Sequence, residues 1–192
     1  MDPKVEILSE EILSNNWYTL RKYRYEYTAA DGSKTVQTRE AYDRGNGAAI
    51  LLYNKEKRSV ILTRQFRLPS FVNGNTGGML IEACAGLLDK DNPEACIRRE
   101  AEEETGYQPG EVTKIMEAYM SPGSVTEMLH FFVAPYTAAM KVAEGGGVAH
   151  EQESIQVLEV SFDDALLMMK DGRIKDAKTI MLLQYAQINQ LL

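Results

Sequence analysis

Glu100, Glu102, Glu103 and Glu104 crowd into the run Arg99-Glu100-Ala101-Glu102-Glu103-Glu104-Thr105-Gly106-Tyr107. Carboxylates at that density can hold a divalent cation or move protons. Helix signals frame them: Asn92 can cap free amides, Pro93 suits the first helical position, and Gly106 can close the helix in the left-handed conformation. This is an unfavourable place for negative charge. Each exposed acid near a helix C-terminus costs ~0.3–1 kcal/mol, and Glu100 and Glu104 also repel at i,i+4. On a helical wheel Glu100 and Glu104 share a face with Ile97 and Ala101, whereas Arg98 with Glu102 and Arg99 with Glu103 form i,i+4 pairs on the outer side. A carboxylate facing a core is very costly unless it is paired or coordinates a metal. The pattern therefore predicts a cation at Glu100 and Glu104. With oxygen donors alone, that cation is magnesium, with manganese as the alternative, and phosphate oxygens of a di- or triphosphate complete its shell.

The elements around this helix follow from periodicity. From Trp17 to Tyr27 aromatic and polar residues alternate, Asp31-Gly32 marks a hairpin, and an extended run follows over Lys34–Tyr42. Ala48–Tyr53 and Ser59–Arg64 are apolar runs joined by the charged turn Asn54–Arg58, and Met79–Ala85 is a short strand leading into the helix. Further strands are predicted near Val112–Tyr119, Glu127–Tyr136 and Ile155–Val160, with a mobile loop over residues 143–150 that contains Gly145-Gly146-Gly147. Ser161 caps a helix ending before Gly172. A last helix, about Asp176–Leu191, places Ala177, Ile180, Met181, Tyr185, Ile188 and Leu192 on one face. Mixed strands with separated helices predict an α/β sandwich preceded by an antiparallel β extension. The expected division is 1–44 for the extension, which carries too little chain to bury its aromatic stripe, and 45–192 for the sandwich.

Composition narrows the function. A net charge of −7 argues against sequence-independent nucleic-acid binding, which needs a basic surface, but leaves room for a small anion in a local basic pocket. Cys84 and Cys96 have neither zinc-ligand nor redox spacing and suit reduced thiols in the cytoplasm. The N-terminus has no long apolar run, so neither a signal peptide nor a membrane span is expected.

Gly86 with Arg99–Tyr107 resembles the Nudix box, G-x5-E-x7-R-E-U-x-E-E-x-G-U, where U is bulky or apolar. The second half matches at every fixed position. In the first half, one residue fewer separates Gly86 from Arg99, and Asp91 or Asn92 stands where the pattern has its first glutamate. The resemblance implies an α/β/α sandwich and a backbone oxygen from Ala85 beside Glu100 and Glu104 at the metal. It also implies that Arg99 orients Glu103, which is counted among the catalytic carboxylates. His150-Glu151-Gln152-Glu153-Ser154-Ile155 is similar to the acidic loop of Nudix nucleoside diphosphate sugar pyrophosphatases. By that match Glu153 is a further metal ligand and Glu151 the base, ahead of His150, and both count with Glu103 among the catalytic residues.

The segments 39–47, 64–67, 121–123 and 145–147 resemble the GDP-mannose pyrophosphatase group over essentially the whole length. That group implies a homodimer whose β extensions reach the partner's site. It assigns substrate contacts to Trp17 (near the base), Arg39, Glu40, Arg67, Gly86, Glu127 and Lys178. The reading that results is magnesium-dependent hydrolysis of GDP-mannose to GMP and mannose 1-phosphate. ADP-ribose or another nucleoside diphosphate sugar is the nearest alternative, and a non-catalytic nucleotide-binding module the more distant one.

Overall fold

The computed structural model describes residues 2–88, 92–148 and 154–192. The chain divides into two compact units, Met1–Asn46 with Tyr119–Met128, and Gly47–Ala118 with Leu129–Leu192.

In the first unit, β1 (Lys4–Asn15), β2 (Thr19–Thr28) and β3 (Lys34–Asp43) form an antiparallel sheet in the order β1-β2-β3. Asp31 shapes the β2–β3 turn by accepting from the Ser33 amide (2.9 Å) and hydroxyl (2.6 Å). The returning segment 119–128 joins this unit beside β3: the Tyr42 amide donates to Ser124 O (2.8 Å), and the Thr126 amide donates to Tyr42 O (3.1 Å). Val5, Ile7 and Ile12 of β1 are all exposed.

The second unit is built on a mixed seven-stranded sheet. Its main path is β10 (Gln156–Ser161), β5 (Ser59–Phe66), β4 (Gly47–Asn54), β9 (Met128–Pro135) and β8 (Thr113–Tyr119), with β4 and β9 parallel. Between β5 and β4 a fork opens. The strand expected over Met79–Ala85 is two strands, because it changes partner midway: β6 (Met79–Glu82) pairs with β5, and β7 (Cys84–Leu87) pairs with β4. Alternation along β4 separates two cores. Ala48, Ile50 and Leu52 pack with Ile97 and Ala101 of α2 (Pro93–Thr105). Their neighbours on the opposite face are equally buried, on the side where α4 (Ala177–Ile188) meets β4. Helices on both faces give the expected α/β/α sandwich. A short helix, α1 (Leu68–Val72), was not apparent in the sequence, and α3 (Phe162–Lys170) starts on Ser161, whose hydroxyl accepts from the Asp164 amide (3.1 Å). Among the described residues no helix is long and apolar enough to cross a membrane.

Helix α4 buries a different stripe from the one expected: Thr179, Leu182, Leu183 and Ala186 face inward and Ile188 is exposed. Both stripes are apolar, so composition did not decide between them. A hydrogen bond from the Ala83 amide to Thr179 Oγ1 (2.7 Å) does, by turning Thr179 to the interior. The run Gly145-Gly146-Gly147, expected as loop, has no regular secondary structure and is hydrogen-bonded to the end of α2. Its Gly146 and Gly147 amides donate to the Glu104 and Glu103 carbonyls (2.9 and 3.1 Å), satisfying acceptors at the acidic end of α2.

Candidate active site

Helix α2 forms as its end signals predict. Asn92 Oδ1 accepts from the Ala95 amide (2.9 Å), and Gly106 terminates it at φ 76°. Its inward face carries Ile97, Ala101 and Glu104, the last only 2% exposed, with Glu100 alongside. The outer pairing differs in part. Arg99 Nη1 does reach Glu103 (3.1 Å) and also Glu100 (3.0 Å). Arg98, expected on Glu102, turns to Glu94 (2.8 Å) and to the carbonyls of Pro109 and Gly110 (2.9 and 2.6 Å), because the chain leaving the helix presents those acceptors to it.

Strand β7 lies against this face. A β-carbon on Gly86 would stand 2.1 Å from Glu100 Cδ and 2.3 Å from its Oε1, so only a glycine lets the carboxylate lie across the strand. Cys84, also on β7, is fully enclosed. Burial, and then the charges of Glu104 and Glu100, push its thiol well up, so it stays protonated and hydrogen-bonds Glu104. Ala85 sits between these two residues, opposite Ala49. Two carboxylates one turn apart, one deeply buried, and a strand backbone cleared of side chain beside them make an all-oxygen donor set that fits a hard divalent cation. Among the described residues no group of three or more His, Cys, Asp or Glu side chains assembles as a metal site. His150, Glu151 and Glu153 lie outside the described residues.

Beside the acids is an ion-pair cluster built on Glu82, a residue whose role the sequence did not suggest. Glu82, 2% exposed, accepts from Arg67 Nε at Oε1 (2.8 Å) and from Arg67 Nη2 at Oε2 (3.0 Å), and Lys178 Nζ donates to the same Oε2. Burial pushes the Glu82 carboxyl up, but the Arg67 hydrogen bonds and the charges of Lys178 and Arg67 outweigh that and bring it down to about 2. Burial opposes charge on Arg67 too, yet Glu82 and then Glu104 and Asp176 hold it above its usual range. The structure thus brings Ala85, Gly86, Glu100, Glu103, Glu104, Arg67 and Lys178 into one unit. A charged residue in the apolar run Met79–Ala85 was the available signal for Glu82, since a buried charge requires a partner.

Trp17, Arg39, Glu40 and Glu127 belong to the other unit. Trp17 is 84% exposed, with its ring edge-on to Tyr18 (6.2 Å between centroids). Arg39 and Glu40 line a cleft of about 580 Å³ with Tyr119, Pro122 and Ser124, and Arg39 Nη1 donates to Thr38 O (2.7 Å). Glu127 pairs with Arg44 (3.5 Å), whose guanidinium lies over the Tyr18 ring (5.5 Å).

A carboxylate-lined site of this kind on an α/β/α sandwich is the equipment of a metal-assisted hydrolase acting on phosphate groups. Residues 43–183 match the NUDIX domain, and residues 4–42 match the GDP-mannose pyrophosphatase NudK N-terminal domain. The chain belongs to the Nudix family and is a Nudix hydrolase, an enzyme class that works with divalent metal ions. Its relatives include a GDP-mannose pyrophosphatase of Yersinia enterocolitica, 58% identical over the whole of both chains. Another GDP-mannose pyrophosphatase, from Yersinia pestis (strain Pestoides F), is 58% identical over 98% of this chain and 94% of its own. A third, from Klebsiella pneumoniae, is 55% identical over 100% of this chain and 96% of its own.

Proposed function

We propose that the protein hydrolyses GDP-mannose at its diphosphate, releasing GMP and mannose 1-phosphate, with magnesium as the working cation and manganese as a substitute. One observation carries the choice of substrate: the similarity to GDP-mannose pyrophosphatases runs through both units, including residues 4–42. Glu100, Glu104, Glu153 and the Ala85 carbonyl would hold the cation. When bound, it neutralises diphosphate oxygens and acidifies a coordinated water.

The chain's own groups do the rest. Glu151 accepts the proton of the attacking water, and Glu103, steadied by Arg99 at 3.1 Å, completes the catalytic carboxylates. Water adds to one phosphorus as its bond to the bridging oxygen breaks, leaving two monophosphates and no covalent intermediate. Arg67 and Lys178 grip phosphate or ribose oxygens; the planar fork of Arg67 suits two acceptors at once. Gly86 leaves the space in which Glu100 meets the substrate. Trp17 stacks on the base, and Arg39, Glu40 and Glu127 complete the nucleotide and sugar contacts.

Residues 1–44 serve as the dimerisation element of a homodimer. The exposed apolar side chains of β1 support a second copy of the chain as their cover, with Arg39 and Glu40 serving the partner's site. Two buried free thiols, Cys84 and Cys96, support a reducing compartment, the cytoplasm. The deciding measurement is kcat/KM for GDP-mannose and ADP-ribose side by side with magnesium. Preference for ADP-ribose by ~10-fold, about 1.4 kcal/mol at the transition state, would reject GDP-mannose while leaving the Nudix chemistry intact.

A further inference from the structure

Ala83 is the point where the chain changes sheet partner. Glu82 is opposite Thr63 of β5, and Cys84 is opposite Ile50 of β4. At this apex the Ala83 amide donates to Thr179 Oγ1 of helix α4 at 2.7 Å, with Ala83 1% and Thr179 0% exposed. A hydroxyl has one proton to give and two lone pairs. Thr179 gives its proton to Asp176 Oδ2 (2.6 Å), which leaves a lone pair aimed at the amide. Asp176 caps α4 by accepting from the Thr179 amide (3.0 Å), and its other oxygen takes Lys178 Nζ (3.0 Å). Lys178 then returns to Glu82, the residue preceding Ala83. The result is a closed circuit, Ala83–Thr179–Asp176–Lys178–Glu82, that pins the fork apex to the start of a helix.

Ala85 and Gly86 follow within three residues, and at Gly86 the strand and the Glu100 carboxylate have no spare room between them. Small displacements of the apex therefore carry directly into the donor set. Strand pairing holds the residues on either side, Glu82 on Thr63 and Cys84 on Ile50, and Thr63 Oγ1 reaches the Glu82 carbonyl at 3.3 Å, while the Ala83 amide between them is fixed by Thr179.

We propose that Thr179 is a positioning residue for the metal-facing strand, its hydroxyl setting where Ala85 and Gly86 stand against Glu100. This rests on the reading of Ala85, Glu100 and Glu104 as cation ligands.

The test uses the full-length protein and Mn²⁺ as the probe, followed by electron paramagnetic resonance, with Thr179→Val (same shape, no hydroxyl), Thr179→Ser and Glu104→Gln. Thr179→Val should weaken Mn²⁺ binding about tenfold, the low end of what supporting groups contribute to metal sites. It should lower kcat similarly, while KM for GDP-mannose stays within about twofold. Thr179→Ser should restore both. Should the valine variant fail to fold, Thr179→Ala, which leaves room for a water at the amide, is read on the same scale. Wild-type Mn²⁺ affinity and kcat in the disrupted variant, with Ala83 amide exchange accelerated, would overturn the proposal and reduce Thr179 to a fold-stabilising residue. If Glu104→Gln also binds Mn²⁺ like wild type, the cation reading falls, and the inference with it.

Discussion

Gly86 and Glu100 compete for one volume: a β-carbon on the glycine would lie 2.1 Å from the glutamate's carboxyl carbon and 2.4 Å from its Cγ. The atoms in the way are the far end of a flexible side chain, so Glu100 can swing aside when a methyl group arrives. Gly86→Ala should therefore fold with little change in Tm yet lose about 100-fold or more in kcat, the scale of removing one preorganised electrostatic group. Thermal unfolding and steady-state kinetics on the same preparation separate the two effects. Comparable losses of stability and activity would place the glycine's role in folding.

Glu104 is buried beside the Cys84 thiol, which can donate to an amide oxygen as well as to a carboxylate. Glu104→Gln should thus keep the fold while losing at least ~100-fold in rate at saturating Mg²⁺. Chelation of the wild-type protein should likewise stop turnover with the far-ultraviolet circular dichroism unchanged. Near-wild-type turnover by Glu104→Gln would remove this residue from the metal site.

Assembly is tested by complementation. Arg39 lies in the unit whose β1 strand exposes Val5, Ile7 and Ile12. If the proposed homodimer shares its sites, mixing inactive Arg39→Ala with inactive Glu104→Gln subunits should regain activity, because a hybrid dimer would hold one intact composite site. Absence of recovery, once subunit exchange has been verified, would mean that each site is made by one chain.

Glu82 gives a pH signature. Its carboxyl is depressed from an ordinary 4.5 to about 2, so the stability it confers is complete above the ordinary value and disappears as pH falls through about 2. Glu82→Gln leaves two cations without their shared partner and should cost about 3 kcal/mol at neutral pH. The difference in unfolding free energy between the two proteins should shrink steadily as pH falls from about 4.5 to about 2. A gap independent of pH would show that packing, not charge, accounts for the loss.

Much of the site was legible in the sequence because α2 is governed by local geometry. Capping by Asn92, termination at Gly106 and the shared face of Ile97, Glu100, Ala101 and Glu104 all follow from residues within a few positions of one another. The same holds for the hairpins and for Ser161 at the head of α3. The partner of Arg98 was misread because an i,i+4 rule cannot see acceptors such as Pro109 and Gly110, brought in by the chain beyond the helix.

The periodicity of 93–106 settles that carboxylates face inward and that oxygen chemistry is to be expected there. Long-range pairing decides where those carboxylates sit and what surrounds them. Glu82 meets Arg67 from 15 residues away and Lys178 from 96, and the Ala83 amide meets Thr179 across a further 96. Those contacts exist only because the chain passes from β6, paired with β5, to β7, paired with β4, and helix α4 meets it at the change of partner. A buried charge or amide must find a partner, but which partner depends on the strands and helices that the whole fold brings to it.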